Sequence, residues 1–442
     1  MSKKFSAKWL NLCFAILLTL GLFQVVNAQQ LGPYDKERGV TMLKILKDEI
    51  KKNYYDPNFH NINLDVRFKE AEEKVKQATS FGQIVGIVAQ VLLDFNDSHT
   101  FFIPPSRSID VDYGWKMLVV GDKCFVNSVR PGSDAETKGL KAGDQIQAIN
   151  GYPVTRQTMW KIRYLFNTLR PQPGLKLSLL DLEGKSRDLE IMAKVTQNKQ
   201  RLDLVDDESA DIYDLIRQGE NDRYLNRHVY YDDKDVFVWK MPEFNMPEEQ
   251  VDDMMNKIKK SKSLILDLRG NPGGYEVMLL RLIGHCFDHD VKVGTIQRRK
   301  ETKPIVAKTR GKNTFKGDIV VLIDSDSGSA AEVFAKVLQL EKRGKVVGDL
   351  SSGSVMRSRS KNFQLGMDVV VFYGASITDA DLIMADGKSL EHIGVTPDEI
   401  ILPTAKDIAS SCDPAFVKAA DLLGIEISAQ KAGKLFPIEW KK

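Results

Sequence analysis

Two apolar runs, each cut short by small polar residues, constrain this chain most. In Asp318-Ile-Val-Val-Leu-Ile-Asp-Ser-Asp-Ser-Gly-Ser-Ala-Ala-Glu332, an apolar strand stops in a Ser/Gly/Asp loop and restarts as a helix. Leu264-Ile-Leu-Asp-Leu-Arg-Gly-Asn-Pro-Gly-Gly274 repeats the plan, with a turn glycine-rich enough for close backbone approach to a ligand. Strands of this kind alternate with helical segments along the second half of the chain. Strands are expected at Asp235 to Lys240, Leu264 to Leu268, Val291 to Gln297, Ile319 to Ile323, Lys345 to Gly348 and Val369 to Phe372. Helices are expected at about Glu248 to Lys260, Val277 to Cys286 and Ala330 to Lys342. The fold class this implies is an open α/β layer. Loops at the carboxyl ends of parallel strands share one edge, so Ser329 and the Gly273 and Gly274 amides can meet across one crevice.

The amino-terminal half is built differently. Val40, Leu43, Leu46 and Ile50 recur at helical spacing, Tyr54-Tyr-Asp-Pro57 interrupts the pattern, and a second helix from about Phe81 to Phe95 leads into Asn96-Asp-Ser-His-Thr100. Between about 112 and 195 come short strands and turns, including Gly139-Leu-Lys-Ala-Gly-Asp-Gln-Ile-Gln-Ala-Ile-Asn-Gly151. Asp203 to Asp222 is charged and poor in apolar residues, as a linker or excursion would be. The expected organisation is a signal peptide at 1–28, a helical segment at 29–111, a compact unit at 112–195, the α/β core at 196–425 and a tail at 426–442.

With 442 residues and 43% hydrophobic content the chain can bury more than one core. Lys3, Lys4 and Lys8, an apolar run from about Leu12 to Phe23 and Val26-Asn-Ala28 read as an export signal. The run is too short to span a membrane comfortably, and Cys13 lies inside it rather than at its end. Loss of those three lysines would leave 60 basic and 60 acidic residues, a balance that does not suit nucleic acid as a partner. Cys124, Cys286 and Cys412 are too sparse for a disulfide framework.

An unactivated serine hydroxyl is a weak nucleophile, so it needs a base in reach and donors for a developing oxyanion. His99, among short polar neighbours at a helix end, is the best base in the sequence, with an ordinary pKa of about 6.5. His60, His228, His285, His289 and His392 lack that setting. His285 and His289 stand four apart, as metal ligands on a helix can, but no zincin glutamate and no third ligand accompany them. A phosphate cradle at Gly270 to Gly274 lacks the Lys-Ser/Thr that should follow. No metal and no cofactor is expected.

The Gly139 to Gly151 pattern resembles a PDZ domain, which implies a groove capturing extended peptide, with Gly114-Trp115-Lys116-Met117 as its carboxylate loop. Taken together, the motifs from about Tyr34 to Leu423 resemble the tail-specific (C-terminal processing) proteases and tricorn protease. That resemblance implies a ClpP/crotonase-like core with the PDZ unit inserted. It also implies a serine peptidase acting on polypeptides, with Ser329 as nucleophile and Gly273, Gly274 and Ala330 as oxyanion donors. The tail-specific branch places a lysine base twenty-five residues beyond its serine, where this chain has Ser354. Lys345 and Lys361 could replace it only through a slipped alignment. The tricorn-like branch pairs its serine with a histidine that follows a second serine, and Ser98-His99 matches. A glutamate near the end of the core should orient that second serine, and Glu391 in Ser389-Leu-Glu-His-Ile-Gly is the candidate. Glu332 reads as a first-turn residue complementing the helix dipole. The rival reading is a peptide receptor on a protease scaffold that has lost its lysine. Substrate identity and oligomeric state are not legible.

Overall fold

The computed structural model describes residues 31–107, 109–197, 229–232, 235–366, 370–438 and 440. The expected signal segment and the Asp203 to Asp222 excursion, with His228, lie outside them.

Three helices open the described chain: α1 (Asp35–Asn53), α2 (Leu64–Gln77) and α3 (Phe81–Leu93). Asn63 and Ser80 cap α2 and α3 through their side chains. Leu43, Leu46, Phe68, Ile84 and Val88 bury the facing stripes. A short strand, β1 (Phe101–Ile103), then carries the chain away.

The inserted unit enters on β2 (Ile109–Asp112) and leaves on β8 (Lys194–Gln197), which pair antiparallel from Ile109↔Gln197 to Asp112↔Lys194. Within this stem lie β3 (Trp115–Val120), β4 (Lys123–Val129), β5 (Gln145–Ile149), the helix α4 (Met159–Arg163), β6 (Gly174–Leu180) and β7 (Ser186–Met192). The sheet order is β3-β4-β5-β6-β7, so β3 is an edge.

The core begins with β9 (Val229–Asp232), β10 (Val236–Lys240), α5 (Glu248–Ile258), β11 (Ser263–Asp267) and α6 (Glu276–Cys286). After the hairpin β12 (Val291–Gln297) and β13 (Thr302–Ala307) come β14 (Asp318–Ile323), α7 (Ala330–Leu340) and β15 (Lys345–Gly348). The chain continues through β16 (Met356–Leu365), β17 (Val371–Met384), β18 (Glu399–Ile400), α8 (Pro414–Asp421) and α9 (Ala429–Gly433). The main sheet runs β9-β10-β11-β14-β15-β18, parallel except at β9.

Both faces of that sheet are covered, which explains its near-continuous apolar strands. Leu264, Leu266, Ile319 and Val321 pack against α5, α6 and α7, while Ile265, Val320 and Leu322 meet Phe416, Ala419 and Ala432 on the other face. Residues 425–436, expected within or beside a tail, thus supply part of a buried layer.

Two expected strands went to a different sheet. Val291–Gln297 joins an antiparallel sheet of order β1-β17-β12-β13, with β16 on β17. Strand β17 is far longer than the expected Val369 to Phe372 because β16, a polar strand of alternating burial, pairs along most of its length. Through Phe101↔Ser376 to Ile103↔Gly374, this second sheet docks the amino-terminal helices onto the core. Among the described residues no helix is long and apolar enough to cross a membrane.

Candidate active site

The loops after β11, β14 and β15 converge at the carboxyl edge of the main sheet, the edge where an open α/β sheet presents its ligands. Asn271, fully buried, ties the first two together. Its Nδ2 donates to Met241 O at 2.8 Å, its Oδ1 accepts from Gly273 N at 2.8 Å, and its carbonyl accepts from Gly328 N at 2.8 Å. Ser329 sits at the start of α7 with φ 48°, a conformation that non-glycine residues rarely adopt. A Cβ on Gly273, whose φ is 112°, would stand 2.5 Å from Ser329 Cβ and 2.9 Å from Ala330 N. Only glycine allows that approach. Gly273→Ala should therefore cut kcat/KM by about 100-fold by displacing the serine, since small misplacements of reacting groups carry costs of that order. Steady-state kinetics within threefold of the parent would show that the contact has no such role.

Asn271 also decides which amides are free. The Gly273 N–H, expected as an oxyanion donor, is already committed to the Asn271 side chain. Among the described residues, Gly274 N–H and Ala330 N–H have no acceptor. Gly274, at φ 132°, lies against the Phe244 carbonyl, and Tyr275 N–H donates to that same oxygen at 2.8 Å.

The Ser329 N–H donates to Ser354 O at 2.9 Å and to Glu332 Oε2 at 3.0 Å. Glu332 does more than complement a dipole. Its carboxylate, wholly buried, also accepts from Ser351 Oγ at 2.6 Å, Ser352 Oγ at 3.2 Å, Gly353 N at 2.8 Å and Ser354 N at 2.9 Å. Burial raises its pKa, and these bonds pull it back toward the charged form. The third loop is thereby wrapped around the start of α7. Sequence carried one hint of this, a Ser-x-x-Glu spacing at a helix start.

His99 arrives from the other body of the molecule, in the loop between α3 and β1. Asp97, also buried, shapes that loop by accepting from His99 N at 3.0 Å, Thr100 N at 2.7 Å, Tyr54 Oη at 2.8 Å and Thr378 Oγ1 at 2.6 Å. The imidazole is 2% exposed, and its Nδ1 lies 2.6 Å from Ser98 Oγ. Burial drives the ring down to about 4, against the Asp97 charge, which keeps it neutral near pH 7.

Ser98 Oγ donates to Glu391 Oε2 at 2.9 Å, Ser98 N donates to Oε1 at 2.7 Å, and Val355 N donates to Oε2 at 2.9 Å. Glu391 thus meets Ser98 across 293 residues of sequence. Burial and the Asp97 charge push its carboxyl up to about 8, opposed by those three hydrogen bonds.

His99, Ser329, Gly274 and Ala330 line one cavity of about 370 Å³, with apolar walls that include Leu279, Val293, Ile305 and Val333. No hydrogen bond joins the Ser329 and His99 side chains; such bonds commonly tighten only around substrate. Ser354, at the register of the lysine, is 1% exposed with an unpartnered Oγ. Lys345 begins β15 at the opposite end from the loops, and Lys361 on β16 lies 3.9 Å from Glu49, so neither lines the cavity.

Of the remaining histidines, His60 Nδ1 meets Phe95 O at 2.6 Å and His392 Nε2 meets Asn96 O at 2.6 Å, bracing the loop that carries His99. His285 is paired with Asp252 at 2.7 Å, and His289 with Asp288 at 2.9 Å. Cys124, Cys286 and Cys412 are free thiols.

The family model for Peptidase family S41 matches residues 235–401, and that for the PDZ domain matches residues 110–163. The chain carries a family S41 peptidase domain. The S41 match starts at β10 and ends just past β18, so it takes in the whole parallel part of the main sheet. Its relatives include the tail-specific protease of Haemophilus influenzae, 25% identical over 356 residues, or 76% of this chain and 48% of that protein. This chain thus spans about half the length of that relative. The carboxyl-terminal-processing protease of a Picosynechococcus is 24% identical over 391 residues, 85% of this chain and 86% of its own length. Among solved structures, mature CPAF superposes with a TM-score of 0.62 at 15% identity, covering 85% of this chain and 94% of that one. The 85% covered exceeds the S41 and PDZ segments together, so the shared fold extends beyond those two matches. The PDZ loop Gly114 to Met117 opens β3, with Gly114 at φ 74° against Ser133.

Proposed function

We propose that this chain is an exported serine endopeptidase that cleaves extended or unstructured polypeptide through an acyl-enzyme on Ser329. The observation that carries this reading is the unbroken chain Glu391–Ser98–His99, which ends in the cavity that Ser329 and two free amides also line. His99 is the general base. It takes the Ser329 proton as Oγ bonds to the scissile carbonyl carbon, then gives that proton to the leaving amine. The Gly274 and Ala330 amides receive the developing oxyanion, and each such donor is commonly worth about two to three orders of magnitude in rate. Water then repeats the attack on the ester and frees Ser329. Extended polypeptide suits the PDZ domain, which captures strands, and export rests on the lysine-led apolar segment at 1–28.

This relay fixes a pH dependence. For His99 to accept through Nε2, its Nδ1–H must donate to Ser98 Oγ, and Ser98 must donate to an ionised Glu391. With Glu391 pushed up to about 8, kcat/KM should climb about tenfold per pH unit from pH 6 and level off above 8. Glu391→Gln should leave a low, flat profile over that range. A limb that persists near pH 6.5 in Glu391→Gln would remove Glu391 from the mechanism. The stability linkage runs the other way. The folded pKa of Glu391 is raised, so its contribution is complete below about pH 4.5 and lost as pH rises through about 8. A peptide receptor on the same scaffold would show no labelling of Ser329 by a fluorophosphonate, whereas the peptidase should label stoichiometrically.

A further inference from the structure

The groove of the PDZ domain is not open to solvent along its length. It lies between the edge strand β3 and the helical run Met159–Arg163 and Tyr164–Leu169. Lys116, Leu118, Ile162 and Phe166 line a cavity of about 520 Å³ there. The opposite wall is not PDZ. Phe436, Ile438 and Trp440, from the stretch after α9, form part of it, beside core residues such as Arg269, Asp324 and Asp413. The Lys116 ammonium stands 5.4 Å and the Arg130 guanidinium carbon 5.9 Å from the Trp440 ring centroid, within cation–π range. Leu435 and Phe436 pack on the buried layer around α8, which fixes where the following residues go. Among its described residues the stretch makes no strand pairing with β3, so they cover the groove without being paired into its edge.

We propose that residues 435–438 and Trp440 are an intramolecular occupant of the PDZ groove mouth, which an incoming peptide must displace. The chemistry fits: aromatic and aliphatic side chains lie beside the apolar part of the groove, Leu118, Ile162 and Phe166, and the indole sits on Lys116 and on Arg130, which is also paired with Asp112. That the displacing peptide is a substrate tail rests on the peptidase reading above; the occupancy itself does not. A tethered segment acts at an effective concentration of roughly 1 mM, so a segment with an intrinsic Kd near 0.1 mM weakens an outside ligand about tenfold.

The test uses full-length protein carrying Ser329→Ala, so that no probe is cut. A fluorescein-labelled peptide with the sequence of residues 435–440 should bind the further variant Ile438→Asp/Trp440→Asp about tenfold more tightly than the parent, by anisotropy. Equal affinity, or no binding to either, overturns the proposal. A second readout leaves the segment intact. In 5-fluorotryptophan-labelled protein, the 19F resonance assigned by Trp440→Phe should move to a solvent-exposed position as unlabelled peptide is added. A resonance that stays fixed at saturation overturns the proposal as well. A chain that binds and exchanges in this way, yet never cleaves with Ser329 restored, would fail the proposed activity alone.

Discussion

Ser329→Ala should lower casein cleavage by the chain from Gln29 onward by about 10⁴- to 10⁶-fold, the loss typical when a nucleophile acting within a unit is removed. His99→Ala should cost nearly as much, and the double variant little more, because a serine without its base and a base without its serine fail at the same step. Ser354→Ala is the informative control. It replaces the residue at the lysine register, whose buried hydroxyl has no partner, so its loss leaves no other group unsatisfied. Activity within threefold of the parent is expected there. Cleavage that survived Ser329→Ala would sink the nucleophile assignment, and cleavage abolished in Ser354→Ala would point to a base other than His99.

Glu332→Ala should destabilise the core by about 3–5 kcal/mol and abolish measurable cleavage. The carboxylate is wholly buried and receives donors from Ser329, Ser351, Ser352, Gly353 and Ser354. Removing it strands several of them, and each buried unsatisfied donor costs about 1–3 kcal/mol before the loop relaxes. Glu332→Gln keeps the shape but turns an amide NH₂ toward some of these donors, so it should recover less than half of the stability. The measurement is the urea midpoint, read beside fluorophosphonate labelling of Ser329. A midpoint shift corresponding to under about 0.5 kcal/mol with full labelling would show that the loop holds itself without the carboxylate.

What sequence could and could not disclose divides along physical lines. Ser329, Ser98, His99 and the glycine turn were legible because each stands in a local pattern whose chemistry is peculiar to it. Glu391 was legible only through the family resemblance, since nothing local says that it reaches Ser98. Glu332 was read as a dipole partner because the donors that bury it come from residues 351–354, on a different strand end. Asn271 has the same character: its amide takes the Gly273 N–H out of the expected oxyanion set, a matter of side-chain direction rather than spacing. In the fold, β10, β11, β14 and β15 of the parallel sheet appeared within a residue or two because both their faces are apolar, whereas β18, two residues long and not buried, left no such pattern. The long hairpin of β16 and β17 did not, because its alternation runs through charged residues that pair across the strands. The covering residues 435–438 and Trp440 were taken for part of a plain tail, since their only sequence mark is a few apolar residues among lysines.

The stem of β2 and β8 bears on how such a chain comes together. Residues entering at Ile109 and leaving at Gln197 are cross-strand partners. Once the PDZ domain has formed, the rest of the polypeptide experiences it as a closed loop of nearly zero span. By loop-closure entropy, the shortened path between the helices carrying His99 and the sheet carrying Ser329 is worth only about 0.4 kcal/mol. Loop closure alone thus leaves the insertion almost silent in the folding of the peptidase body, and any larger coupling runs through direct contacts such as Arg156 with Asp349 and Ser325 Oγ with Val119 O.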